Sequence, residues 1–169
     1  MRNQQIRKIV FASLFAAIAS ILKVYSLQIT ADWRVSLFPI ALILAGYFLG
    51  PLYGLAVGFV TDTVYMIVSP YAHIWSIYTL STMMWGLSGY VLSVIKPNIL
   101  LFILVITLSS LLETSINSVA MIVEGGNNWI YVYTGLGKRL ISLVLRLPIL
   151  IILTKVIIKR LKIMEINFT

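Results

Sequence analysis

Long runs of apolar residues dominate the chain, and short polar or helix-breaking segments interrupt them. A helix that crosses a membrane needs about 20 mostly apolar residues, because each residue rises ~1.5 Å through a hydrocarbon layer ~30 Å thick. The pattern predicts six such helices, at residues 9–27, 35–49, 52–68, 74–95, 99–123 and 136–158. The segments at residues 28–34, 69–73 and 124–135 are predicted to be loops on one side of the membrane.

The composition supports lipid rather than water as the solvent. Hydrophobic residues make up 60% of the 169 residues, charged residues only 11%, and the mean hydropathy is +1.01. A soluble domain carries about 25% charged residues, so this chain has too few charges to cover a water-exposed surface. The absence of cysteine also excludes a disulfide scaffold. We therefore expect a single all-α integral membrane domain over residues 1–169.

The distribution of charge predicts the orientation of this domain. The net charge is +8, from 13 Lys and Arg against 5 Asp and Glu. The bases cluster near the two ends of the chain, at Arg2, Arg7, Lys8, Lys155, Lys159, Arg160 and Lys162. Basic segments next to spanning helices stay on the cytoplasmic side, and six spans place both termini on the same side. We expect cytoplasmic termini.

Motifs for catalysis are missing from the sequence. It contains no Gly-x-x-x-x-Gly-Lys-[Ser/Thr] phosphate loop, no His-Glu-x-x-His and no Gly-x-Ser-x-Gly. One histidine and no cysteine are too few for a transition-metal site. The sequence predicts no enzymatic activity and no cofactor bound to this chain.

Ionisable residues inside the predicted spans are the candidates for function. Asp62, Glu113 and Arg146 lie within spans, and Asn117 follows Glu113 by one helical turn. Such residues are costly in lipid and usually face a cavity or each other. Two interpretations stay open: buried ion pairs that fix the bundle, or a pocket in which arginine side chains grip an anionic ligand. A surplus of bases near the predicted outer side favours the second for Arg146.

Two further patterns allow both a packing and a binding interpretation. Tyr78 and Trp85 are seven residues apart and share a helix face, which suits either bundle packing or stacking against a flat heteroaromatic ring. Ala12 and Ala16 are small residues four apart, which let another helix approach closely. That helix could belong to this bundle or to a partner.

One stretch of the chain resembles a known family. It contains Trp33-Arg34-Val35-Ser36-Leu37-Phe38-Pro39, Ala45-Gly46, Gly50-Pro51, Gly54, Gly58 and Asp62. The order Arg-[Ile/Val]-Ser, then Gly-Pro-x-x-Gly-x-x-x-Gly-x-x-x-Asp, resembles the S components of energy-coupling factor (ECF) vitamin transporters, and the folate type most. The likeness extends over residues 9–95.

The resemblance implies a six-helix subunit in a prokaryotic plasma membrane that captures folate or a folate derivative from outside with high affinity. It implies partners as well: a transmembrane scaffold subunit and two ABC-type ATPases, which bind the ATP. Ala12 and Ala16 would contact the scaffold. The alternatives are an S component for pantothenate, thiamine, riboflavin or a precursor, and a structural membrane protein that transports nothing.

The expected substrate contacts combine the resemblance with the residues named above. Arg34, with Arg139 or Arg146, would hold the glutamate carboxylates of folate. Tyr78 and Trp85 would stack on its ring system, and Asn117 or Glu113 would hydrogen-bond the pteridine edge. Asp62 is expected to be structural and to pair with a base.

Overall fold

The computed structural model of the chain describes residues 2–30, 33–68, 77–95, 98–124 and 129–163. Over these residues it contains six helices and one two-stranded sheet. The helices are α1 (Arg2–Val24), α2 (Pro39–Leu49), α3 (Pro51–Val68), α4 (Ile77–Ile95), α5 (Ile99–Val123) and α6 (Trp129–Ile163). The strands are β1 (Leu27–Thr30) and β2 (Trp33–Val35). The expectation of a six-helix chain is confirmed, with a small sheet in addition.

The helix boundaries agree best with the prediction where a capping residue marks them. Helix α5 occupies the predicted residues 99–123, and the side chain of Asn98 accepts a hydrogen bond of 3.0 Å from the Leu101 N–H at its start. Helix α6 begins at Trp129 rather than at residue 136, so the predicted loop at 124–135 is too long. It continues through Pro148, which costs one backbone hydrogen bond but does not end the helix.

Residues 27–30 and 33–35 pair as the two strands of a hairpin where the sequence predicted a loop and the start of a helix. The two strands are antiparallel, with Leu27 opposite Val35. Val35 therefore belongs to a strand, and α2 begins only at Pro39, whose missing N–H suits the first helical turn. The predicted helix at residues 35–49 is corrected to 11 residues. Its length is about 16 Å at the usual rise per residue.

The short helix α2 forms the centre of the bundle. It packs against α1, α3, α4 and α6. Its residues from Pro39 to Gly46, and Leu49, are buried. A helix that is apolar on every side is stable when protein surrounds it. The apolar pattern of α2 therefore reflects burial in the core of this chain.

Contacts between helix ends show an up-and-down arrangement. Lys23 near the end of α1 contacts the ring of Phe38 just before α2, whereas Lys162 near the end of α6 contacts the ring of Tyr47 near the end of α2. Glu124, directly after α5, accepts a hydrogen bond from the N–H of Ile77 at the start of α4. The start of α1 and the end of α6 thus share one end of the bundle, here called the termini end. The hairpin lies at the other, the hairpin end.

Glycines bring the backbones of α2, α3 and α4 into direct contact. A Cβ atom added to Gly46 would lie 1.8 Å from the carbonyl oxygen of Gly86, and one added to Gly86 would lie 2.3 Å from that of Gly54. Real side chains never approach backbone atoms so closely. Small residues allow this kind of helix contact in lipid, where dispersion forces replace the hydrophobic effect between helices. The Gly-x-x-x-Gly spacing of α3 is therefore explained by packing.

Replacement of Gly46 by alanine should destabilise the bundle, because the new methyl group must push α2 away from α4. Overpacking of this kind costs about 1–3 kcal/mol. We expect Gly46→Ala to lower the thermal unfolding midpoint of the purified chain in detergent. Gly137→Ala is the control: nothing lies within 4 Å of its added Cβ, and alanine there should gain up to about 1 kcal/mol of helix stability. Equal midpoints for Gly46→Ala and the parent would contradict the contact.

Candidate functional site

Helices α4, α5 and α6 bring three predicted site residues together. Arg146 donates a hydrogen bond to the Oε2 atom of Glu113, and its guanidinium carbon lies 5.7 Å from the ring centroid of Trp85. Trp85 is 1% exposed, and the side chains of Arg146 and Glu113 are 12% and 10% exposed. We call Trp85, Glu113 and Arg146 the central cluster. It is a buried ion pair against an aromatic ring, with no net charge.

The position of the central cluster follows from the polar stripe of α5. Ser110, Glu113 and Asn117 are spaced three and four residues apart, so they lie on one face of the helix. One turn from Glu113, the hydroxyl of Ser109 is 2.6 Å from that of Ser88 on α4. This hydrogen bond holds the polar face of α5 against α4. The same face therefore carries both the contact between the helices and the charged group.

Several polar atoms in and beside the central cluster lack a hydrogen-bond partner among the described residues. They are Trp85 Nε1, Ser110 Oγ and Asn117 Oδ1, together with Thr154 Oγ1 on α6. Most buried polar atoms in proteins are paired, since an unpaired one costs about 1–3 kcal/mol. A ligand with a polar edge could pair with the Trp85 donor and the Asn117 acceptor.

A second buried charge pair joins α1, α3 and α4. Lys23 donates to the Oδ1 atom of Asp62 and, at 2.7 Å, to the hydroxyl of Thr82. Thr79 donates a 2.5 Å hydrogen bond to the other oxygen of Asp62. The Lys23 ammonium also lies 5.0 Å and 5.2 Å from the ring centroids of Phe38 and Tyr65. These groups satisfy both charges, so the pair fixes the helices near the hairpin end.

Asp62 was expected to pair with a base, and that base is Lys23. The sequence offered a sign of this partner. Lys23 lies seven residues after Ala16 and four after Ala19, and both alanines are buried against the core. A lysine on the packing face of a helix has to find an acid inside the bundle. The sequence analysis did not identify Lys23 as this partner.

The other predicted contact residues are placed only in part. Arg34 lies in β2 opposite Gln28, and Arg139 lies on α6 two turns before Arg146. The side chains of both arginines are outside the described part of the structure. Tyr78 is half-buried in the first turn of α4, and its carbonyl oxygen accepts a 2.8 Å hydrogen bond from the Ser81 hydroxyl. The anion-binding and stacking roles stay predictions.

The two alanines predicted to contact a partner lie on the inward side of α1. Ala16 is 7% exposed and belongs to the core of this chain, and Ala12 packs against that core while partly buried. Two other small residues with the same spacing, Ser13 and Ala17, are exposed. The burial of Ala16 agrees with the packing interpretation, and contact with a partner stays a prediction.

The lengths and composition of the helices indicate the general class of the protein. Four helical segments are long and apolar enough to cross a membrane by length and composition: Asn3–Val24, Pro51–Val68, Ile99–Val123 and Leu140–Lys162. Helix α2 is apolar but shorter. Within the described ranges, no group of three or more His, Cys, Asp or Glu residues is placed to hold a metal ion. The features are those of a multi-pass membrane protein with buried ion pairs.

Comparison with protein families identifies the family. The model of the substrate-specific component of ECF transporters matches residues 7–166. Because this match covers most of the 169 residues, the chain belongs to that family. It is a substrate-binding subunit of a membrane transporter rather than a member of an enzyme family, and it associates with the subunits of an ECF module. No curated protein matches the chain significantly.

Removal of one charge from the Lys23–Asp62 pair should destabilise the folded chain more than removal of both. Lys23→Met leaves the buried Asp62 without its counter-charge, which costs about 3–5 kcal/mol in comparable pairs. The double variant Lys23→Met/Asp62→Leu should recover much of this loss. Thermal unfolding of the parent, both single variants and the double variant in detergent measures the coupling. Arg160→Met, which removes an exposed base, is the control. Additive losses would contradict the pairing.

Proposed function

We propose that this subunit captures a folate-like vitamin at the central cluster and delivers it through the ECF module. One observation carries the proposal: among the described residues, Trp85 Nε1 and Asn117 Oδ1 are buried without partners near the buried Arg146–Glu113 pair. A pteridine ring is flat and has donors and acceptors along one edge. It can accept from Trp85, donate to Asn117 and exchange hydrogen bonds with Glu113, which would satisfy groups that the protein leaves unpaired.

The carboxylates of such a ligand require a separate cationic group. Glu113 already neutralises Arg146, so Arg146 has less capacity to hold a second anion. We assign the anion contact chiefly to Arg34 and Arg139. Strand β2, which carries Arg34, packs against α6, which carries Arg139. A guanidinium group binds a carboxylate through two parallel hydrogen bonds, and two such groups suit a ligand with two carboxylates.

The neutrality of the central cluster also favours a second candidate. A flat vitamin without net charge, such as riboflavin, would match an ion pair whose charges cancel and would not need Arg34 or Arg139. Pantothenate has no aromatic ring for Trp85, and cationic thiamine would meet the basic surplus. Tight binding raises thermal stability by mass action, so thermal shifts with a panel of vitamins distinguish these candidates.

The transport cycle that we propose needs partners for its energy. The six-helix bundle would lie across a prokaryotic plasma membrane, with the short α2 buried inside it and both termini in the cytoplasm, as the basic ends favour. Two ABC-type ATPases would bind the ATP, and a transmembrane scaffold subunit would contact α1. The six-residue pattern from Ala12 to Ala17 offers two small-residue stripes for this contact, one inward and one outward.

Folate affinity should depend on the arginine at the hairpin. Arg34→Ala should weaken folate binding by roughly tenfold to a hundredfold, the range for loss of a charged hydrogen bond. Arg146→Lys should weaken it less, because lysine keeps the charge opposite Glu113 and loses only the planar fork. Arg160→Ala, at the termini end of α6, removes the same charge and should leave affinity unchanged. Titration calorimetry on the purified variants measures this. Unchanged affinity in Arg34→Ala and Arg139→Ala together would exclude the anion contact.

The two small-residue stripes of α1 should respond differently to enlargement. Ala16→Leu places a large side chain in the core. Overpacking costs about 1–3 kcal/mol of folding free energy, so this variant should have a lower thermal unfolding midpoint. Ala17→Leu enlarges the exposed face, so it should leave folding and vitamin binding intact but reduce co-purification with the ECF module. Loss of co-purification by a stably folded Ala16→Leu chain, with Ala17→Leu unaffected, would assign the docking contact to Ala12 and Ala16 instead.

A further inference from the structure

The last three turns of α6 carry a stripe of lysines that takes no part in the central cluster or in the Lys23–Asp62 pair. Lys155, Lys159 and Lys162 are spaced four and three residues apart, so they lie along one flank of the helix over about 10 Å. All three are exposed. They lie at the termini end of the bundle, opposite to the hairpin end. We call these three residues the lysine stripe.

Acidic residues do not neutralise the lysine stripe within the described part of the chain. Asp62 is bound to Lys23, Glu113 to Arg146, and Glu124 to the backbone of Ile77. These three groups are held elsewhere in the bundle. The closest aromatic contact is the ring of Tyr47, whose centroid is 5.1 Å from the Lys162 ammonium. Among the described residues the stripe therefore keeps its positive charge; Glu165, three residues after Lys162, lies outside them.

Apolar neighbours show what surrounds the first lysine of the stripe. Ile152, Leu153 and Val156 are exposed beside Lys155, at 60%, 39% and 49%. A surface that alternates exposed aliphatic residues with lysines is typical of the boundary between hydrocarbon and headgroups. There the aliphatic part of lysine lies along the acyl chains while its ammonium reaches outward to phosphate. An acidic protein surface would not account for the aliphatic residues at the same depth.

We propose that the lysine stripe binds the phosphate headgroups of anionic phospholipids. Acyl chains would cover Ile152, Leu153 and Val156, and headgroup phosphates would pair with the three ammonium groups. A base near an anionic membrane surface gains roughly 1 kcal/mol, or about fivefold in binding, per residue. This contact is independent of the vitamin site, because the stripe and the central cluster use different turns of α6.

Lipid retention by the purified chain tests the proposal. The parent in neutral detergent, offered equal amounts of phosphatidylglycerol and phosphatidylcholine, should retain phosphatidylglycerol preferentially in native mass spectrometry. Lys155→Gln/Lys159→Gln/Lys162→Gln should lose this preference, by roughly fivefold per lysine if the three contributions are independent. The corresponding triple arginine variant should keep it, because the charge remains.

A matched control removes the same charge outside the stripe. Arg7→Gln/Lys8→Gln/Arg160→Gln alters three other bases near the termini end and should retain the phosphatidylglycerol preference. Equal loss in this control would overturn the proposal, because net charge alone would then explain retention. The proposal would also be overturned if the triple glutamine variant kept the preference for phosphatidylglycerol. If that variant in addition failed to co-purify with the ECF module, the stripe would be a protein contact. Vitamin binding by the parent and by the stripe variant, measured in parallel, shows separately whether the vitamin site is intact.

Discussion

Charges inside an apolar bundle must be paired, and this requirement governs the arrangement of the helices. Lys23 with Asp62 joins α1 to α3, and Arg146 with Glu113 joins α6 to α5. Helix α4 lies between the two pairs and contributes to both, through the Thr82 hydroxyl and the ring of Trp85. Since an unpaired charge would be far costlier in lipid than in water, each pair specifies which helices are neighbours.

The two pairs differ in how completely their surroundings satisfy them, and the proposed binding site lies at the less satisfied pair. Two threonine hydroxyls and two aromatic rings surround the pair near the hairpin end, which leaves little for a ligand to add. In the part of the chain that the structure describes, Trp85 of the central cluster and the neighbouring Asn117 have unpaired polar atoms. For a substrate-binding subunit, a rigid support next to an incompletely satisfied site allows binding energy to be used for recognition instead of for ordering the protein.

Periodicity predicted the six helices because each contains a long apolar run. Helix α5, which Asn98 caps at its start, has the boundaries that the sequence predicted. The hairpin was missed because seven mixed residues, from Gln28 to Arg34, look like a loop unless their partner strand is known. Spacing placed Glu113 and Asn117 on one face, but it could not identify which base pairs with Asp62. That choice depends on which helices pack together, a long-range property that no local pattern contains.

Contact between the glycine backbones of α2, α3 and α4 has a mechanical consequence. Side chains can change rotamer and let two helices slide, but a carbonyl oxygen pressed against the Cα of a neighbour has no such freedom. The three helices must therefore travel together as one solid body whenever the subunit changes shape. Rearrangement within the bundle is left to α1, α5, α6 and the hairpin, so Glu113 and Arg146 can shift relative to Trp85 while α2, α3 and α4 keep their form.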